Sequence, residues 1–422
     1  LQVLAVLAAF LEQDASPPRG AGALVVCPAS VVAVWLHEVA KFYPTLRARA
    51  YAGSPAERTE LLKSRDWDLL VTNYALLRND ADTFLGTTFD AVVLDEAQRI
   101  KNPDAQVTQV AKRLRTEHAI ALTGTPLENR LLDLWSILDF VNPGFLGTRE
   151  DFIETFEGPT DRASLARRVA PLIIRRTKER VAPELPPRIE ETLTVEMLPG
   201  QRALYDEELL RARAAVKEKG PIEVLAALTR LRQICCDPRL LVDDADGTLG
   251  SAKLDTLIEM LEEIISEGHS VLVFSQFTSM LKLILPVLQQ AGMPAFILTG
   301  ETPTAKRAKL VAAFNESQEP QIFLLSLKAA GTGLTLTKAD YVFLFDPWWN
   351  PAVERQAIDR THRIGQDKPV IAYRLVAART IEEKVLEMQA EKAALFADVM
   401  ADAERDVVPQ RLTAADLAAL LG

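Results

Sequence analysis

Apolar runs of strand length alternate with segments of helical period twice along the chain. The first series is Ala23–Cys27, Leu69–Thr72, Ala91–Leu94 and Ala119–Leu122. The second is Val271–Phe274, Ala295–Leu298, Ile322–Leu325, Tyr341–Phe345 and Val370–Tyr373. Val31–Phe42, Leu254–Ser266 and Met280–Gln290 read as helices between them. Near-continuous apolar strands alternating with helices predict parallel sheets covered on both faces, hence two α/β lobes. The stretch from Phe145 to Gly250 differs: it is rich in Arg and Glu, mostly helical in period, and broken by Leu185-Pro186-Pro187. The expected domains are therefore 1–146, a helical insertion and linker over 147–250, a second lobe over 251–400, and a tail over 401–422. Thr380–Phe396 has the pattern of an amphipathic helix, and Leu412–Leu421 of a short helix behind Thr413.

Length supports this division, since a single core rarely grows past roughly 250–300 residues and the chain has 422. The net charge of −10 argues against a passive nucleic-acid coat but leaves room for a local basic channel. Between Thr160 and Arg188, eight Lys or Arg stand against three Asp or Glu. Cys27, Cys235 and Cys236 show no metal-ligand spacing and read as reduced thiols. No apolar run reaches the roughly 18–20 residues of a membrane helix, so no membrane partner is expected. Leu1–Leu11 lacks a basic leader and a cleavage site and reads as a buried helix. An Ala-rich composition and a compact middle suggest a bacterial cytoplasmic protein associated with the nucleoid.

Ligands of open parallel sheets collect at the carboxyl ends of the strands, and four motifs lie there. Val92–Leu94 delivers Asp95 and Glu96, two carboxylates fit to serve Mg²⁺ on a nucleoside triphosphate and to orient the attacking water. As a bare pair they read equally as a helix cap with a first-turn acid. Leu122-Thr123-Gly124-Thr125-Pro126 is either a plain turn or a coupling loop with exposed hydroxyls. Gln356, Arg360 and Arg363 stand at i, i+4 and i+7, one face of a helix, where guanidiniums can neutralise a transferring γ-phosphoryl group. The competing reading is a solvated basic face. The run Ser326–Leu334, with Lys328, Gly331, Thr332 and Gly333, lets backbone approach a phosphate closely.

Taken in order, these motifs resemble the Swi/Snf-type ATPases, DEAD/DEAH-box-related members of helicase superfamily two. The matching residues of the first lobe are Pro28-Ala29-Ser30 with Trp35 and Glu38, Asp95-Glu96-Ala97-Gln98 with Lys101-Asn102, and Leu122–Pro126 with Asn129. Arg175–Lys178, Leu185–Arg188 and Ser251–Leu254 follow, then Val273–Phe277, Ser326–Leu334, Asp346–Pro351 and the arginine row. The resemblance implies two RecA-like lobes with ATP between them, and an ATP hydrolase that translocates along double-stranded DNA and remodels proteins bound to it. Asp95 and Glu96 would then serve Mg²⁺ and the water, with Gln98 beside them and Thr123, Gly124 and Thr125 as coupling residues. Gln356, Arg360 and Arg363, with Gly331 and Gly333, would complete the nucleotide site. DNA is expected near Ser30, Asn73, Tyr74, Thr278, Lys328, Gly331 and Thr332. Tyr74 and the Trp348-Trp349 pair read equally as packing residues, and Arg175–Lys178 as a solvated turn. The start of the tail helix, Thr380–Lys384, resembles a brace behind the second lobe.

Two departures qualify that picture. Gln98 stands where many relatives carry His, yet it keeps both a hydrogen-bond donor and an acceptor. The 422 residues also contain no Gly-Lys-Thr phosphate loop. Leu1-Gln2-Val3-Leu4-Ala5 resembles the residues that directly follow that loop in the family, and the chain opens without Met. The expectation is a truncated motor that is inactive in this form. The alternative is a pseudo-motor that binds DNA or protein without hydrolysis.

Overall fold

A computed structural model of the protein describes residues 1–12, 22–124, 131–156, 162–174, 176, 178–218, 221–242, 244, 249–330 and 334–389. Arg175, Thr177, Thr125, Gly331, Thr332, Gly333, the end of the tail helix and Leu412–Leu421 lie outside these residues. The chain forms two compact units, Leu1–Val169 and Ala170–Gly422.

The first unit is built on five strands: β1 (Ala23–Cys27), β2 (Ala48–Ala50), β3 (Leu69–Asn73), β4 (Thr88–Asp95) and β5 (Arg115–Leu122), in the order β2-β3-β1-β4-β5. Every pairing is parallel. Side chains alternate across a strand, and both faces are dry. Leu24, Val26, Val92 and Leu94 pack on Leu77, Phe84, Ile137 and Phe140. Val25, Cys27, Ala91 and Val93 pack on Leu4, Leu7 and Val39. The opening helix Gln2–Glu12 is thus held by Leu4 and Leu7 against the sheet.

The second unit carries six strands: β6 (Arg188–Val195), β7 (Val271–Ser275), β8 (Ala295–Leu298), β9 (Ile322–Ser326), β10 (Tyr341–Leu344) and β11 (Val370–Ala377), in the order β6-β11-β10-β7-β9-β8, again all parallel. Val271, Val273, Phe343 and Leu375 face one core and Leu272, Phe274, Val342 and Leu344 the other. Both sheets are thus the parallel, doubly covered RecA-like type expected.

The expected helical insertion is divided by the fold. Helix Arg149–Phe156 stacks Phe152 and Phe156 near Trp135 in the first unit. Helices Pro199–Glu218 and Pro221–Cys236 pack Tyr205, Leu228 and Leu231 on Ile381 and Val385 in the second. Arg188–Val195, expected within helical sequence, is a strand paired along its whole length with β11. It is an edge strand with a largely exposed pattern, so it carries no apolar run to announce it.

Candidate active site

Register places the ends of the first sheet side by side. Cys27 pairs with Asn73 and Asp95 with Leu122, so the segments starting at Pro28, Tyr74, Glu96 and Thr123 leave from one edge. Asp95 is fixed from three directions. Its Oδ2 accepts from the Trp35 indole at 2.9 Å and its Oδ1 from the Glu96 amide at 2.9 Å. The Tyr74 hydroxyl donates to its backbone carbonyl at 2.7 Å. Burial pushes the Asp95 carboxyl up, and the Trp35 N–H opposes that shift. Burial and the nearby Asp95 charge push the Cys27 thiol up to about 12, so it is inert at neutral pH.

The chain then turns sharply. Glu96 adopts the left-handed region with φ of 53°, a conformation that L-residues other than Asn, Asp and Gly seldom occupy. Such strain persists only where surrounding contacts over-determine it. Here Gln98 Nε2 donates to Glu96 Oε2 at 2.6 Å, while Thr123 Oγ1 donates to Gln98 Oε1 at 2.8 Å. Gln98 therefore both donates and accepts, joining the carboxylate to the segment after β5. Glu96 is the N-cap residue of the 3-10 turn Ala97–Ile100, with no side-chain cap bond, and Thr123 is bonded to the acidic motif.

In the second unit the arginine row departs from expectation. Gln356 lies on helix Pro351–Ile358, but the helix stops there, with Asp359 as its C-cap. Arg360 and Arg363 lie in successive turns instead of along one helical face. Lys178 braces the chain just past the stop: its Nζ donates to Asp359 Oδ1 and to the His362 carbonyl, both at 2.6 Å. Gly365, at φ of 98°, completes the reversal. Arg360 is 3% exposed, which rules out a solvated face for it. Arg363 donates to the Asp359 carbonyl at 3.0 Å and to Thr335 Oγ1 at 3.2 Å. Burial lowers its basicity, with Asp359 opposing.

The described residues among those expected near DNA fall at or just past strand ends of both units. Ser30 lies in the 3-10 turn Ala29–Val31, and Asn73 caps the next helix by accepting from the Leu76 amide at 3.0 Å. Tyr74 packs on the first core. Thr278 opens helix Thr278–Gln290, which has no side-chain cap. Lys328 is exposed on the short helix Leu327–Ala330. Trp348 and Trp349 are packing residues in the structure, each stacked near Arg232. Sequence reasoning missed Glu354, which is 1% exposed and accepts from the Trp348 amide at 2.6 Å and Arg374 Nε at 3.0 Å. It also missed that Lys253 pairs with Glu382, both essentially fully buried. Lys253 and Glu382 lie inside quoted motifs and Glu354 just outside one, and the pairings of Glu354 with Arg374 and of Lys253 with Glu382 span 20 or more residues and leave no local signal.

Among the described residues no group of three or more side chains could hold a metal alone, and no helix is long and apolar enough to cross a membrane. A strand-end carboxylate pair without further ligands suits Mg²⁺, which is commonly bound by one or two carboxylates together with substrate phosphates.

The SNF2-related domain matches residues 1–240 and the helicase conserved C-terminal domain residues 252–365. An uncharacterized ATP-dependent helicase of Mycoplasma pneumoniae is 37% identical over 95% of this chain and 39% of that protein. The putative ATP-dependent helicase/translocase YwqA of Bacillus subtilis is 34% identical over 91% of this chain and 44% of its own length. The chain thus spans about two fifths of these curated relatives. The structure of the Sulfolobus solfataricus SWI2/SNF2 ATPase core in complex with dsDNA is 33% identical, covering 95% of this chain and 86% of that one, with a TM-score of 0.45. With 240 of its 422 residues matched by the SNF2-related domain, the chain belongs to the SNF2-related, SWI/SNF-type helicase family.

Proposed function

We propose that the chain is the motor of an ATP-dependent double-stranded-DNA translocase that remodels proteins on DNA. The observation that carries this reading is the bonded series Glu96–Gln98–Thr123 beside Asp95, a strained acidic turn tied to a second strand-end segment. Asp95 would hold Mg²⁺ on the nucleotide, with Trp35 and the Glu96 amide fixing its two oxygens. The metal, when bound, offsets phosphate charge. Glu96 would accept a proton from the attacking water, with Gln98 holding its carboxylate in place. Gln356, Arg360 and Arg363 would serve the same nucleotide by neutralising charge on the γ-phosphoryl group. Gln98, Thr123, Gly124 and Thr125 would relay nucleotide state toward the DNA-facing residues. Ser30, Asn73, Tyr74, Thr278, Lys328, Gly331 and Thr332 would line the DNA path, and Gly331 and Gly333 would flank the nucleotide.

Three measurements test this reading. Duplex DNA should bind this chain with weak sequence preference and with affinity falling steeply as salt rises, because phosphate contacts dominate such channels. Equal preference for RNA, or for single strands only, would count against it. Phosphate release from Mg·ATP should be near background in this chain. It should become duplex-stimulated when a Gly-Lys-Thr loop is joined ahead of Leu1, because the loop supplies backbone N–H groups, a Lys and a hydroxyl around the phosphates. Duplex binding without turnover in both forms would leave the pseudo-motor. In the active form, displacement of a third strand from a triplex indicates translocation, whereas release of an annealed strand would indicate a strand-separating helicase.

A further inference from the structure

Arg232, on helix Pro221–Cys236, is 4% exposed and makes no contact that the reaction outlined above requires. One nitrogen of its fork donates to Gln276 Oε1 at 3.0 Å and the other to the Pro347 carbonyl. Asp346 Oδ2 lies 3.8 Å away. Around the guanidinium stand Phe277, Trp348 and Trp349, with ring centroids at 5.9, 5.6 and 5.0 Å. Asp346, itself fully buried, accepts from Ser275 Oγ and from the Gln276 amide. These contacts join two segments, 275–278 and 346–349, which leave the carboxyl ends of neighbouring strands β7 and β10. One opens into the helix that starts at Thr278, the other into the helix that carries Gln356. An aliphatic side chain could fill the same volume without the cost of desolvating a guanidinium. What the planar fork adds is simultaneous reach to both segments, with stacking on the rings.

We propose that Arg232 is a positioning residue that clamps segments 275–278 and 346–349 into one arrangement and so presents Thr278 to duplex DNA. The clamp follows from the contacts above; its consequence for DNA rests on the proposed function. Asp346 fits the same picture, since burial raises its carboxyl and Arg232 is the chief influence opposing that rise.

The test uses Arg232→Met and Arg232→Lys in this chain. Lysine keeps the charge and most of the stem, so it covers the case in which methionine fails to fold. Amide hydrogen exchange at Gln276, Phe277 and Trp348 should quicken about tenfold or more in either variant, while amides within β7 and β10 stay protected. Unchanged exchange at those three amides overturns the clamp whether or not the chain binds DNA. Duplex affinity should fall about tenfold with the slope of log affinity against log salt unchanged, because a buried guanidinium neutralises no phosphate. A slope reduced by about one would mean a direct phosphate contact and overturn the positioning role. Faster exchange with full DNA affinity would overturn the link to DNA. Failure of the unsubstituted chain to bind duplex would fall on the proposed function, leaving the exchange result to decide the clamp.

Discussion

Glu96→Gln, in a form that carries a Gly-Lys-Thr loop ahead of Leu1, should bind Mg·ATP near normally and lose about 10²–10⁴-fold in turnover, the usual worth of a general base. The substitution is nearly isosteric and keeps the left-handed turn, since the backbone there is set by its neighbours. What it removes is an acceptor for the proton of the attacking water. Ground-state binding depends little on that acceptor, so the loss should appear in kcat rather than in KM. Gln98 sharpens the expectation. Its amide is oriented by Thr123 so that Nε2 meets Glu96, and an amide at position 96 can still accept that bond. The local structure should therefore survive while the chemistry stops. Phosphate release measured under saturating duplex is the assay. Turnover within a few-fold of the parent would show that Glu96 does not activate the water.

Much of this site was legible because parallel sheets concentrate chemistry at strand ends, and apolar runs mark where strands stop. Val92–Leu94 announced Asp95, Ala119–Leu122 announced Thr123, and Ile322–Leu325 announced the segment that holds Lys328. The edge strands Ala48–Ala50 and Arg188–Val195 were not legible, because an edge strand need not be apolar and these carry charged or small residues. The helical reading of the arginine row failed for a different reason. Spacing says which residues a helix would align, but not that the helix ends at Ile358, where Lys178, 181 residues away from Asp359 in sequence, pairs with the Asp359 carboxylate. The contacts of Trp35 with Asp95 and of Arg232 with Pro347 were out of reach for the same cause, as tertiary pairings without a local pattern.

The same turn governs the second prediction. Arg360→Ala should cut duplex-stimulated hydrolysis by about 10³-fold or more, the scale of losing an arginine finger, and Arg363→Ala should do likewise. The two residues demand different controls. Arg363 is partly exposed and spends its donors on the Asp359 carbonyl and Thr335, so its loss should leave the fold intact. Arg360 is buried, and its backbone carbonyl accepts from the Leu336 amide at 2.9 Å. That backbone bond persists in any substitution, and Lys178 still grips Asp359 and the His362 carbonyl around it. The turn should therefore hold when the side chain goes. Arg360→Lys separates the remaining possibilities, because a point charge lacks the planar fork that matches phosphoryl oxygens. A catalytic guanidinium predicts large losses for both Ala and Lys at an unchanged melting temperature. A purely structural Arg360 predicts the reverse: a lowered melting temperature, and activity per folded molecule close to that of the parent. Mild effects at both arginines would remove the row from the nucleotide site and leave Gln356, Arg360 and Arg363 as residues that hold the turn.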